Sequence, residues 1–457
     1  MRHRGRLLEN LRRAETGPFL DEKEFDRKVV AATVKRLVDK YRIRYDGAEI
    51  VPSDDDLADR VFQAGVELAV EAGVFCQSTS RRILWTRAEI DDGIRNSPTQ
   101  ATVGIGADTA VVRSRTPEDG QTPMIAGGAY GVLAPEELFI PMMLSYAREA
   151  AIDAIDPPCL ETAYGMPIKG DSPLEALAGW REHELSMEAA RRAGREGISV
   201  GCVGLSTTEL AQLSATSHGG FRPSDRHYLG LISEFKTNYH MLTKLVHATR
   251  IGGLIQSFAN PIYGGYVGGA EGVAIALAAG PILLNQLYMA TTYGTRPEHP
   301  ILSCNTTPGL LWAQSVAFQG VSRNTNLMIH VLAGPAGGPG TTTMLLENSA
   351  LTIAATVSGI SMLACSQSAS GVNPKHASGL DAKICAEVAR AACSLSRQDA
   401  NDVVGQLVSM YEPDLTCRPI GKPFEEVYDV DTVEPKAEWL EVYNLVKDKI
   451  RQMGVKI

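Results

Sequence analysis

Leu327-Met328-Ile329-His330-Val331-Leu332 is apolar except for one histidine, and Ala333-Gly334-Pro335 turns the chain directly after it. A short apolar run, punctuated by glycine and proline and followed by a helix-length segment, reads as a strand buried on both faces. Similar runs recur at Met124-Ile125-Ala126, Ile152 to Ile155, Ile198 to Val203, Leu229 to Ser233, Leu254 to Phe258, Ile301 to Cys304 and Met362 to Cys365. Eight strand-helix units in succession predict an α/β fold, a (β/α)8 TIM barrel. An open, doubly wound sheet shares this periodicity and stays as the alternative.

Two intervening segments have clear helix signals. Ser172-Pro173-Leu174-Glu175 has the form of a capping box with proline at the first helical position. Leu174, Leu177, Ala178, Leu185 and Ala189 then fall on one face, and Gly379 to Ala391 forms a second such stretch. Before the barrel, Asp21 to Tyr41 and Asp54 to Ala72 are helix-periodic, with short strands expected near Ile83-Leu84-Trp85 and Thr102 to Ile105. The expected division is an N-terminal helical extension over 1–120, the barrel over 121–400 and a C-terminal helical extension over 401–457.

Composition narrows the function. The 457 residues are 44% hydrophobic and 21% charged with a net charge of −9, which argues against a phosphate-backbone footprint and hence against nucleic acid. The basic start (Arg2, Arg4, Arg6, Arg12, Arg13) is broken by Glu9 and lacks the apolar core of a signal peptide. Gly272 to Ala290 is uncharged, but Gly280-Pro281 interrupts it, so a buried barrel helix is expected rather than a membrane span. None of the eight cysteines forms a C-x-x-C pair, which suits reduced thiols and no zinc site. A cytoplasmic protein is expected.

In a barrel, chemistry gathers at the C-terminal ends of the strands. Gly264-Gly265-Tyr266-Val267-Gly268-Gly269 and the glycine-rich run 333–340 both open helices there. Neither is a P-loop, and sharp turning of the backbone is favoured over anion binding. His330 shares one side of its strand with Met328 and Leu332, and core and catalytic roles are evenly balanced. Cys202 has no neighbouring base and reads as packing. Glu234 and Lys236, beyond a strand end, form either a polar pair in the mouth or a surface pair.

Several segments resemble the monomethylamine:corrinoid protein methyltransferases. They include Asn260-Pro261-Ile262-Tyr263-Gly264-Gly265, the Ala333-Gly334-Pro335 turn before Met344-Leu345-Leu346-Glu347, Ala386-Glu387-Val388-Ala389-Arg390-Ala391, and Gly421-Lys422-Pro423-Phe424-Glu425-Glu426-Val427-Tyr428-Asp429-Val430. The resemblance implies a barrel that passes a methyl group from a small methylated amine to the Co(I) corrinoid of a separate partner protein. It also implies a homo-oligomer, typically a hexamer, with no cofactor tightly bound to the chain. Most members carry pyrrolysine after a segment like Gly194 to Val200, and the residue that follows here is Gly201. By register, acidic family positions correspond to Tyr228 and Phe258, and polar ones to Met328 and His330.

With the imine of pyrrolysine gone, a quaternary ammonium becomes an attractive donor. It leaves as a neutral tertiary amine, and aromatic faces attract it. The expected site therefore has Gly201 at the wall of a cavity facing Tyr228, Phe258, Met328 and His330, with little fixed charge. Two alternatives stand beside this. One is an uncharged methyl ether or thioether donor with His330 as general acid. The other is a non-catalytic relative that binds a small ligand.

Overall fold

Eight parallel strands close into a barrel in the computed structural model, which describes residues 2–204 and 208–457, with side chains from Gly5 onward. The side chains of Arg2 and Arg4 thus lie outside the described residues. The strands are β1 (Met124–Gly128), β2 (Ala154–Asp156), β3 (Ser199–Cys202), β4 (Arg226–Leu231), β5 (Leu254–Ala259), β6 (Thr292–Thr295), β7 (Ile329–Leu332) and β8 (Met362–Cys365). Each pairs with its neighbour in chain order, and β8 closes the ring by pairing Met362 with Met124 of β1. A helix follows every strand, from Glu136–Ala147 behind β1 to Gly379–Ala392 behind β8. Closure removes the open-sheet alternative. It also explains the apolar runs, since each strand meets side chains inside and helices outside.

One expected strand is misplaced. Ile301 to Cys304 is a turn, with Ile301 77% exposed, and the sixth strand is Thr292–Thr295 instead. Thr292-Tyr293-Gly294-Thr295 pairs well through β-branched and aromatic residues, but contains no aliphatic run to reveal it. Nor does the capping box form. The helix Pro173–Arg192 does start where expected, but the Ser172 side chain makes no cap. Glu175 is buried and accepts from the backbone N–H of Asp171 and Thr208, while Leu177 is exposed.

The polypeptide before β1 packs on the barrel at several places. The helix Asp55–Ala72 lies against Ala270–Tyr288 and Pro308–Asn324. Gly65 permits this approach, because a Cβ there would fall 2.6 Å from the Ala278 methyl. The hairpin Gln100–Val103/Ala110–Arg113 plugs the N-terminal end, where Val103 and Val112 meet Met124, Met328 and Met362. Ala270–Tyr288 is long and apolar enough to cross a membrane, but its apolar window is 94% buried. It is a core helix.

Candidate active site

The inward side chains stack in layers, as the strict alternation along each strand requires. Met124, Ala126, Ala154, Met328 and Met362 fill the bottom with the hairpin valines. Tyr228, Phe258, Leu332 and Ala364 form the top, with Tyr130 packed against them from the loop after β1. Between lies a polar layer made of Asp156, Arg226, Gln256 and His330, all at most 3% exposed.

Arg226 organises that layer. One guanidinium nitrogen, Nη1, lies 2.9 Å from Asp156 Oδ1 and donates to Gln256 Oε1 at 2.9 Å. The other, Nη2, donates to the carbonyl of Ile155 at 2.7 Å. Arg226 stands on β4 and Asp156 on β2, so the pair spans β3 at Gly201, which has no side chain to obstruct it. Tyr228 donates its phenolic hydrogen to the same carboxylate oxygen. A Cβ at residue 201 would fall 1.6 Å from Tyr228 Oη and 2.6 Å from Asp156 Oδ1. Gly201→Ala will therefore push Tyr228 off its partner and cost about 1–3 kcal/mol, the usual effect of overpacking. Urea unfolding checks this; an unchanged midpoint would show that the tyrosine yields freely.

Above the polar layer, the mouth opens as a cavity of about 240 Å³ lined by Tyr130, Val203, Tyr228, Met241, Phe258 and Asn260, among others. Three rings make one wall. Tyr130 meets Tyr228 edge-on at 4.9 Å between centroids and lies 5.5 Å from Phe258, while Tyr228 and Phe258 are 6.1 Å apart. Among the described residues, no charged side chain lines this cavity.

The sequence-derived site is thus partly assembled. Gly201, Tyr228, Phe258 and His330 all point inward, but only Tyr228 and Phe258 line the cavity. Met328 sits two layers below, packed among methionines at the closed end, and is removed from the mouth. His330 lies under Phe258, whose ring meets it edge-on at 4.9 Å, and Gly294 leaves the space its imidazole fills. Burial, aided by Arg226, pushes the His330 pKa down to about 3, so the ring is neutral near pH 7. Neutral and screened from the cavity by Phe258, it is badly placed to protonate a leaving group. Little fixed charge was expected, whereas an ion pair lies one layer down. Asp156, Arg226, Gln256 and Tyr130 were missed, although a charge directly after the run Ile152 to Ile155 was a visible signal.

The other readings sort themselves by hydrogen bonding. The glycine-rich loop 333–340 spends its Ala336 and Gly337 N–H groups on Glu347, at 2.9 and 2.8 Å, so it is a turn held from within. In the other loop, Gly264 and Gly265 donate to Gly268 and Ile262. Glu234 accepts from the Ile262 N–H, while Lys236 pairs with Glu22 and Asp26, so the proposed Glu234–Lys236 pair does not form. Burial raises the Cys202 thiol pKa well above its usual value, which fits packing rather than attack. Among the described residues, no group of three His, Cys, Asp or Glu side chains is placed to hold a metal ion.

A family model described as monomethylamine methyltransferase MtmB matches residues 6–455. The chain belongs to that family. Monomethylamine methyltransferase MtmB2 of Methanosarcina acetivorans is 32% identical over 443 residues, covering 97% of this chain and 96% of the relative. Its counterpart MtmB from Methanosarcina mazei is 32% identical over 444 residues, with the same shares of each chain covered. The crystal structure of the Methanosarcina barkeri monomethylamine methyltransferase superposes with a TM-score of 0.96 at 30% identity, over 99% of this chain and 98% of that one. A second crystal structure, of the hydroxylamine MtmB complex, gives the same values. This MtmB-family chain is therefore a methyltransferase on a TIM barrel, and the non-catalytic alternative is set aside.

Proposed function

We propose that this MtmB-family enzyme takes a methyl group from a methylated amine, preferentially a quaternary one, and delivers it to the Co(I) corrinoid of a partner protein. The observation that carries the choice of donor is the aromatic wall of Tyr130, Tyr228 and Phe258 on a cavity without a charged lining. A quaternary ammonium needs no hydrogen-bond acceptors and is attracted to ring faces. A primary ammonium brings N–H groups that want carboxylates, and is poorly compensated when buried here. The relatives' name, monomethylamine methyltransferase, supports an amine as the donor class. In this reading Gly201 stands at the pyrrolysine position, and Tyr228 occupies the space beside it.

The corrinoid supplies the nucleophile when the partner docks, and this chain's residues bind the donor, aim its methyl group outward and exclude water. Docking at the mouth goes with this reading, which the hairpin plug at the opposite end supports. A cytoplasmic homo-oligomer, typically a hexamer, goes with the reading, and light scattering checks the assembly.

A panel of methylated donors, assayed with separately added reduced corrinoid protein, tests the proposal. Quaternary amines should be demethylated faster than monomethylamine. Phe258→Ala should raise KM for the quaternary donor by about thirtyfold, the equivalent of the roughly 2 kcal/mol a dry cation–π contact provides, and change uncharged donors less. Monomethylamine as the best substrate would overturn the aromatic-pocket argument. The uncharged lining also suits a methyl ether or thioether, and turnover of those alone would favour that class.

A further inference from the structure

A buried carboxylate lies beneath the mouth cavity without lining it. Asp156, 2% exposed at the end of β2, holds both the Arg226 guanidinium and the Tyr228 hydroxyl on one carboxylate oxygen. Burying an ion pair of this kind seldom stabilises a fold more than apolar residues of the same volume would. Its position, directly under one ring of the cavity wall, suggests what else it does. The Tyr228 hydroxyl is turned down toward Gly201 and Asp156, so it is the ring that borders the cavity. Burial pushes the phenol pKa well above its usual value, which keeps the hydroxyl a donor.

We propose that Asp156 is a specificity-determining, positioning residue: by accepting the Tyr228 phenolic hydrogen it fixes the ring in the cavity wall and makes its face more electron-rich, favouring a methylated ammonium over an uncharged ligand of the same shape. The inference rests on the charged-donor reading above. Its physical basis is that donating a hydrogen to a carboxylate shifts electron density toward the phenol oxygen and ring, and the ring's negative face is what attracts a desolvated cation. The carboxylate itself does not meet the donor. Arg226 keeps it in place and offsets most of its direct field, so the selectivity acts through the tyrosine. Phe258, whose ring rests edge-on over neutral His330, has no equivalent polarising partner.

The test uses two probes of one shape, choline and 3,3-dimethylbutan-1-ol, titrated calorimetrically into the full-length protein. Wild type should bind choline about tenfold more tightly than the alcohol. Tyr228→Phe keeps the ring but not the donated hydrogen, and should weaken choline about fivefold while leaving the alcohol within about twofold. Asp156→Asn should produce a smaller loss of the same selectivity. Because it leaves Arg226 without its anion, the double variant Asp156→Asn/Arg226→Gln is measured beside it and should behave alike. Equal losses for both probes in Tyr228→Phe would show that the hydroxyl only holds the ring, overturning this inference and leaving the charged-donor reading intact. No preference for choline in the wild type would overturn that reading and this inference with it.

Discussion

Replacing Arg226 with methionine will lower the unfolding free energy by about 3–5 kcal/mol, the cost of leaving one member of a buried ion pair alone. The size follows from what is stranded. Asp156 loses the nitrogen at 2.9 Å, and Gln256 Oε1 and the Ile155 carbonyl lose donors at 2.9 and 2.7 Å, all inside the barrel. Water has no easy route to them, since the hairpin closes one end and the aromatic layer covers the other. Asp156→Asn/Arg226→Gln removes both charges and should recover most of the loss, because the expense lies in the uncompensated anion rather than in the pair's absence. Urea unfolding followed by circular dichroism measures all three proteins. A loss below about 1 kcal/mol in Arg226→Met would mean that Asp156 finds another partner.

The second large effect depends on pH. Glu347 is fully buried on the helix Thr342–Val357, where burial raises its carboxyl pKa to about 7. Hydrogen bonds from Thr306 and from the Ala336 and Gly337 N–H groups oppose that rise without cancelling it. Its folded pKa exceeds the unfolded value, so between about pH 4.5 and 7 the native state binds more protons than the unfolded one. The carboxyl's contribution to stability is then complete below about pH 4.5 and is lost progressively as pH rises through about 7. The full change is about 3 kcal/mol for a displacement of this size. The difference in stability between wild type and Glu347→Gln isolates it, because the amide does not titrate. That difference should shrink between pH 5 and 8, and a difference that grows with pH would mean the three donors outweigh burial.

Much of the barrel was legible because parallel strands must be apolar on both sides. Seven of the eight expected runs fall on barrel strands, and the failure at Ile301 to Cys304 has a clear cause. Thr292–Thr295 gives an interior position to Gly294 so that His330 can fill the space, and a glycine has no hydrophobic signal to find. The failed capping box has a similar origin. Glu175 was drawn inward to the Thr208 N–H and hydroxyl, a partner 33 residues away that local spacing does not reveal.

The sequence by itself determined the fold class, the direction of the site toward the strand ends and the core nature of the apolar helix Ala270–Tyr288, while the family resemblance is what pointed to Gly201, Tyr228, Phe258 and His330 as residues facing the site. Period-two alternation tells which residues of a strand share a side, and the strands can be located from composition, but with both faces apolar it does not say which side is the interior. Only the tertiary structure decided the layer each residue occupies. Met328 and His330 are two residues apart on the same side of one strand, but one plugs the bottom and the other joins a polar network with Arg226 and Gln256. Depth within a barrel is set by strand stagger and tilt, which are properties of the closed ring. The pairing of Asp156 with Arg226 across Gly201 belongs to that ring as well, since residues 70 apart meet there only once β2, β3 and β4 stand side by side.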